Sequence, residues 1–230
     1  MYTLTGKVQH YAWGGTTYIP QLLGIHNTTQ QPYAEYWLGA QNSAPSLVGQ
    51  NAGAPIALNE LIGNNPVQWL GERTAARFGR LPYLFKVLDV KDMLSIQVHP
   101  SKAEAEKGFA RENEAGIALN APHRNYKDDN HKPEVMLALS AFWLLHGFKE
   151  KKLLHQTLEA TGAFHTLLPV FEKEGYYGLY KQVMELPQTT VDQMLRPLLQ
   201  EAGDLYTAGR LSKSDPAYWA CKTLAANNGN

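Results

Sequence analysis

The chain has 230 residues, with 21 lysines and arginines against 21 aspartates and glutamates, and a single cysteine. That length buries enough core for one large domain or two small ones without a disulfide or a structural metal, so a metal site here has to be justified by function. The even charge excludes broad attraction to nucleic acid or to an anionic membrane surface, while a few local cations still suffice for one small anionic substrate. Cys221 alone can form neither an internal disulfide nor a cysteine-based zinc cage, which fits a reducing compartment and sets the cytoplasm as the expected location. Met1 to Lys7 has no apolar run, and no stretch approaches the roughly 20 apolar residues that span a bilayer, so neither export nor membrane insertion is expected.

The first 150 residues carry short apolar runs broken by Gly, Pro and Asn, among them Tyr36 to Gly39, Leu81 to Val90 and Met93 to His99, and read as β-dominated. Helical patterns interrupt them at Ala57 to Ile62, at Val67 to Phe78 and after Pro100, where Ser101 and Glu104 have the spacing of a capping box. Beyond residue 150 the periodicity turns helical, with Leu154, Leu158, Leu167 and Leu168 apolar and Gly162 and Gly175 as stops. Later helices are predicted over Tyr177 to Leu186, over Thr190 to Ala202 with a kink at Pro197, and over Pro216 to Ala226 behind an Asp215 cap. The expected division is residues 1–150, mainly β with short helices, and residues 151–230, helical. No repeat or heptad seam suggests a solenoid or coiled coil.

Two segments could carry chemistry. In Leu94 to Pro100, strict alternation puts Leu94, Ile96 and Val98 on one strand face and Ser95, Gln97 and His99 on the other. Gln97 and His99 then point into one space about 7 Å apart along the strand, as ligands of one ion or as an ordinary polar strand surface. In Asn130 to Leu137, which reads as the start of another strand, Pro133 forces Lys132 into an extended conformation and aligns it with Glu134, as a site pair or a surface ion pair. Gln97, His99 and Glu134 together offer a neutral oxygen, an imidazole nitrogen and a carboxylate, a set suited to Zn²⁺ with an open position. With one anionic ligand the ion would keep net positive charge, which favours a Lewis acid acting on a carbonyl or enediolate.

Five ordered motifs, Tyr11-Ala12-Trp13-Gly14, Ala34 to Gly39, Leu81 to Leu88, Ser95 to Pro100, and Asn125 to Asp128 with His131 to Glu134, resemble type I phosphomannose isomerases. The resemblance implies a cupin-type jelly roll interrupted by an all-helical domain, and interconversion of mannose 6-phosphate and fructose 6-phosphate, a small sugar phosphate being the only partner expected. It matches Gln97, His99 and Glu134 to zinc ligands, and Lys86, Ser95 and Lys132 to polar pocket residues near the sugar phosphate. Trp13 and Glu35 match positions lining the site. A core role for Trp13 and an edge role for Lys86 stay open. The implied reaction shifts a proton between C1 and C2 through a cis-enediol. Lys132 is the candidate base if burial beside the ion lowers its pKa, and otherwise a phosphate or hydroxyl binder.

The family's fourth ligand, a histidine, and a substrate-binding arginine come from a segment after the helical domain that this sequence does not contain. His155 and His165 lie in predicted helices without a motif and read as surface or packing residues. The expectation is an incomplete jelly roll, a truncated product that binds zinc weakly and isomerises slowly or not at all, a monomer when complete and prone to associate when not. The competing readings are a noncatalytic cupin-like module binding a sugar or sugar phosphate, and a metal-dependent cupin oxygenase, which usually needs several histidines.

Overall fold

The computed structural model describes residues 2–49, 53–92, 97–142, 144 and 146–226. The chain divides into two compact units, Met1–Trp143 and Leu144–Asn230. No helix of the described residues is long and apolar enough to cross a membrane.

In the first unit, strands β1 (Thr3–Thr5), β2 (Lys7–Gln9), β3 (Glu35–Leu38), β4 (Leu47–Gly49), β5 (Ile56–Ala57) and β6 (Phe85–Leu88) make two antiparallel sheets, ordered β1-β4-β5 and β2-β3-β6. Helix α1 (Tyr18–Leu22) lies between β2 and β3, and α2 (Leu58–Asn64), α3 (Pro66–Leu70) and α4 (Glu72–Phe78) lie between β5 and β6. The single helix expected over Val67 to Phe78 is two, because Gly71 takes φ 77° and ψ 157° between them. Asn65 caps α3, accepting from Gln68 N–H at 3.1 Å, with Pro66 in the first helical turn. Helix α5 (Lys102–Glu114) starts where the capping signal falls: Ser101 Oγ accepts from Glu104 N–H at 3.3 Å, while the Glu104 carboxylate turns to Lys107. Ile19, Ala34, Val48 and Ile62 are the buried apolar residues around the sheets.

Among the described residues, neither of two expected strand segments is paired. Gln97 to His99 and Asn130 to Leu137 are described without strand pairing, and Met93 to Ile96 lie outside the described residues. Alternation selects the faces a strand would have, but a strand exists only where a neighbour supplies the hydrogen-bond ladder. Without one, Val98, Val135 and Leu137 are left exposed. The first unit is accordingly less β-rich than expected, its strands two to four residues long.

The second unit is helical: α6 (Lys151–Ala160), a 3₁₀ turn over Gly162–Leu167, α7 (Leu168–Glu185), α8 (Gln188–Thr207) and α9 (Pro216–Ala226). Its core joins Leu158, Leu167, Phe171 and Leu179, with Leu154, Leu168 and Met194 packed against them. Gly175, at φ 65°, ψ −150°, divides α7 into two helical stretches, as its reading as a stop expects, and α8 runs on through Pro197. The Asp215 carboxylate bonds back to Ser212 N–H at 2.7 Å and to Ser212 Oγ at 2.8 Å, which holds it below the usual carboxylate range.

Candidate active site

The β3 sequence Glu-Tyr-Trp-Leu alternates, so Glu35 and Trp37 share a face, and the register sets Lys86 of β6 opposite Trp37. On that face Trp37 Nε1–H donates to Glu35 Oε2, and Lys86 Nζ stands 3.5 Å from the same oxygen and 5.4 Å from the Trp37 ring centre. Glu35 keeps 10% of its side chain in solvent and Lys86 28%. The carboxylate is thus buried with two donors, while the ammonium retains a wet side that can meet an anion.

Trp13 joins this group through Tyr11, its stacking partner at 5.6 Å. Burial, and then the Glu35 charge, push the Tyr11 phenol above its ordinary range. Gly14 and Gly15 fix the Trp13 loop by close approach, bridging to Val90 and Tyr33. A Cβ at Gly14 would fall 2.6 Å from the Ala34 backbone, and one at Gly15 2.2 Å from the Asp89 carboxylate. The Trp13 carbonyl accepts from Lys91 N–H at 3.0 Å and from Asp92 N–H at 3.2 Å, anchoring the chain just before Met93.

The second group lies on irregular backbone. His99 Nδ1 is 2.5 Å from the Lys132 carbonyl. A carbonyl can only accept, so Nδ1 carries the hydrogen, and Nε2 is the ring nitrogen left for another partner. That Nε2 faces Glu134 Oε2 at 3.9 Å, with both side chains partly exposed. Two donors on one tetrahedral Zn²⁺ stand roughly 3.4 Å apart, so a shift of about half an ångström would bring these two onto one ion. The donor types and the fixed tautomer therefore fit zinc. Gln97, two residues before His99, is exposed. Among the described residues no three His, Cys, Asp or Glu side chains stand together for a metal.

The structure thus brings Glu35 and Lys86 together, stacks Trp13 on the Tyr11 ring whose phenol feels the Glu35 charge, and separately pairs His99 with Glu134. Lys132 contributes its carbonyl to His99, but its side chain is exposed and its Nζ lies 3.4 Å from Asp128. The condition set for a basic Lys132, burial, is not met in this arrangement. Ser95 lies outside the described residues. In the second unit, His155 Nε2 is 2.9 Å from Glu172, and His165 Nε2 meets the Glu159 carbonyl at 2.7 Å. Sequence reasoning missed Trp37 and Asp128. The i, i+2 spacing of Glu35, just before the strand predicted over Tyr36 to Gly39, and Trp37 within it, and the i, i+4 spacing of Asp128 and Lys132, were the signals available.

Residues 1–151 match the family profile of phosphomannose isomerase type I, catalytic domain. The chain belongs to the type I phosphomannose isomerase family. The mannose-6-phosphate isomerase of Salmonella typhimurium is 44% identical over 171 residues, covering 74% of this chain and 44% of that protein. The mannose-6-phosphate isomerase of Schizosaccharomyces pombe is 33% identical over 223 residues, covering 88% and 50%. A solved structure of the Salmonella typhimurium isomerase bound to fructose 6-phosphate and zinc superposes with a TM-score of 0.78 at 35% identity, covering 98% of this chain and 56% of that one. The chain spans about half the length of the curated relatives it matches.

Proposed function

We propose that the chain carries the metal-binding half of a mannose-6-phosphate isomerase site, on a partial cupin-type jelly roll followed by a helical domain. The observation that carries this reading is the His99 ring, whose Nδ1–H is held by the Lys132 carbonyl while Nε2 faces Glu134 at 3.9 Å. In this reading Gln97, His99 and Glu134 hold the ion, and the relative's zinc-bound and sugar-phosphate-bound structure supports both the metal and the substrate class. Zinc, when bound, supplies Lewis acidity toward the sugar carbonyl and its enediol.

The chain's own residues divide the remaining work. Lys86, oriented by Glu35 and Trp37, offers its wet ammonium to an anionic or hydroxylic part of the sugar phosphate, with Trp13 proposed as an apolar wall and Ser95, outside the described residues, as a further polar group. Lys132 is the candidate to move the proton between C1 and C2, a role that requires its nitrogen to leave Asp128 and become buried, and is otherwise a phosphate or hydroxyl binder. Lys132→Arg separates this role from anion binding, because a guanidinium binds phosphate but does not act as a base. Loss of turnover at unchanged KM assigns the proton to Lys132, whereas a raised KM with turnover retained assigns it to the phosphate.

The first test is conversion of mannose 6-phosphate to fructose 6-phosphate by the purified 230-residue protein, with and without added Zn²⁺, beside a His99→Ala control. Zinc-dependent turnover lost in the variant supports the reading. Zinc affinity that is the same in wild type and His99→Ala would sink it.

A further inference from the structure

Helix α5 is tied to both halves of the His99–Glu134 pair, and the ties are of different kinds. Its amino terminus is covalent to the first half, since only Pro100 and Ser101 separate His99 from Lys102. Its flank grips the loop that leads to the second. Lys102 Nζ donates to the Asp129 carbonyl at 2.8 Å and reaches the Asp129 carboxylate at 3.4 Å. Farther along the helix, the Glu112 carboxylate accepts from Tyr126 N–H at 2.8 Å and from Asn125 N–H at 3.2 Å.

The deep grip is built into the fold. Arg124 and Glu112 pair at 3.7 Å with 1% and 7% of their side chains exposed, and Arg124 Nε donates to the Tyr126 carbonyl at 2.7 Å. The Tyr126 ring lies so close over α5 that a Cβ at Gly108 would fall 2.4 Å from it. A buried pair of this kind resists displacement, because removing either partner strands a charge away from water. The helix spans about 20 Å, and the loop is fastened at two points along its side.

We propose that α5 is the positioning element of the metal pair, with Lys102 as the residue that sets the Lys132 carbonyl against His99 and so fixes the His99 tautomer. The inference rests on the reading of His99 and Glu134 as metal ligands, but its decisive observable does not. Lys102 touches neither ligand side chain. It acts through the Asp129–Lys132 backbone, as a partner behind the ligands acts on a metal histidine.

Imidazole ¹⁵N NMR of the 230-residue protein reads the tautomer without any metal. Wild type should carry the hydrogen on Nδ1. Lys102→Ala should move the population toward Nε2–H, Lys102→Arg should restore it, and Lys107→Ala, on the same helix but paired only with Glu104, should leave it unchanged. Melting temperatures should stay close in all three, since Lys102 and Lys107 are partly exposed. Zinc affinity by chelator competition should fall about tenfold in Lys102→Ala. A Lys102→Ala protein with the wild-type tautomer overturns the proposal. If wild type binds zinc no better than His99→Ala, the metal reading fails, and the NMR comparison still decides whether α5 sets the tautomer.

Discussion

The two polar groups of the first unit are held by opposite means. Glu35, Trp37 and Lys86 sit on adjacent strands of one ladder, where each position is fixed by register and the carboxylate is nearly dry. His99 and Glu134 sit on irregular backbone, exposed, and are brought to 3.9 Å by a helix and a loop. The ladder group depends on its own charges for local stability, while the loop group can lose a side chain without strain and keeps its donors available for a ligand. Rigidity is supplied within the one and from behind the other.

The largest expected effect tests that contrast directly. Glu35→Ala leaves the Lys86 ammonium and the Trp37 N–H without their shared acceptor, and should cost about 2 kcal/mol in urea unfolding. That is below the roughly 3–5 kcal/mol of a fully buried broken pair, because Lys86 keeps 28% of its side chain in water. His99→Ala or Glu134→Ala should stay within about 0.5 kcal/mol, as exposed substitutions do. Equal costs at the two sites would erase the distinction.

The next effect, read as pH dependence, belongs to the clamp behind the loop pair. The Tyr126 N–H first, and then Asn125 and Arg124, hold the Glu112 carboxyl below its ordinary value of 4.5. A carboxylate that binds protons less tightly when folded contributes fully above its ordinary value, and that contribution is lost as the pH falls through the lower native value. Acid unfolding of wild type should therefore steepen below pH 4.5, and Glu112→Gln, already lower at neutral pH, should flatten that limb. Identical acid limbs would mean that the clamp is open in solution.

The ladder group was more legible in the sequence than the loop group. Alternation predicts a strand at Tyr36 to Gly39 and the structure has one at Glu35–Leu38, and within Leu81 to Val90 only Phe85–Leu88 finds a partner strand. The Lys86–Glu35 pairing itself was not legible, because it depends on the register between strands 51 positions apart along the chain and not on any local spacing. Helix α5 announced itself by Ser101, since a cap is a local device. The strand expected over Met93 to His99 lies mostly outside the described residues, and the one expected from Asn130 is described without pairing: the pattern was present, but the pairing that makes a strand is not a local property. The Glu112–Arg124 clamp joins a helix to an irregular loop, and no periodicity relates the two.

The smallest expected effect lies at the edge of the ladder group. Tyr11 is held above its ordinary value of 10.0, first by burial, which disfavours the phenolate, and second by the Glu35 charge. The folded chain thus holds this proton more tightly than the unfolded chain, so its contribution is intact below pH 10.0 and stability falls as the pH rises toward the higher native value. An ultraviolet phenolate titration, with Tyr11→Phe as the difference control, should place the Tyr11 midpoint above 10.0. Glu35→Gln should lower that midpoint only part of the way, because burial is the larger cause and the substitution leaves the stacked Trp13 in place. A full return to the ordinary value would mean that charge and not burial governs this corner, and hence that the Glu35 carboxylate acts on Tyr11 with little screening by water.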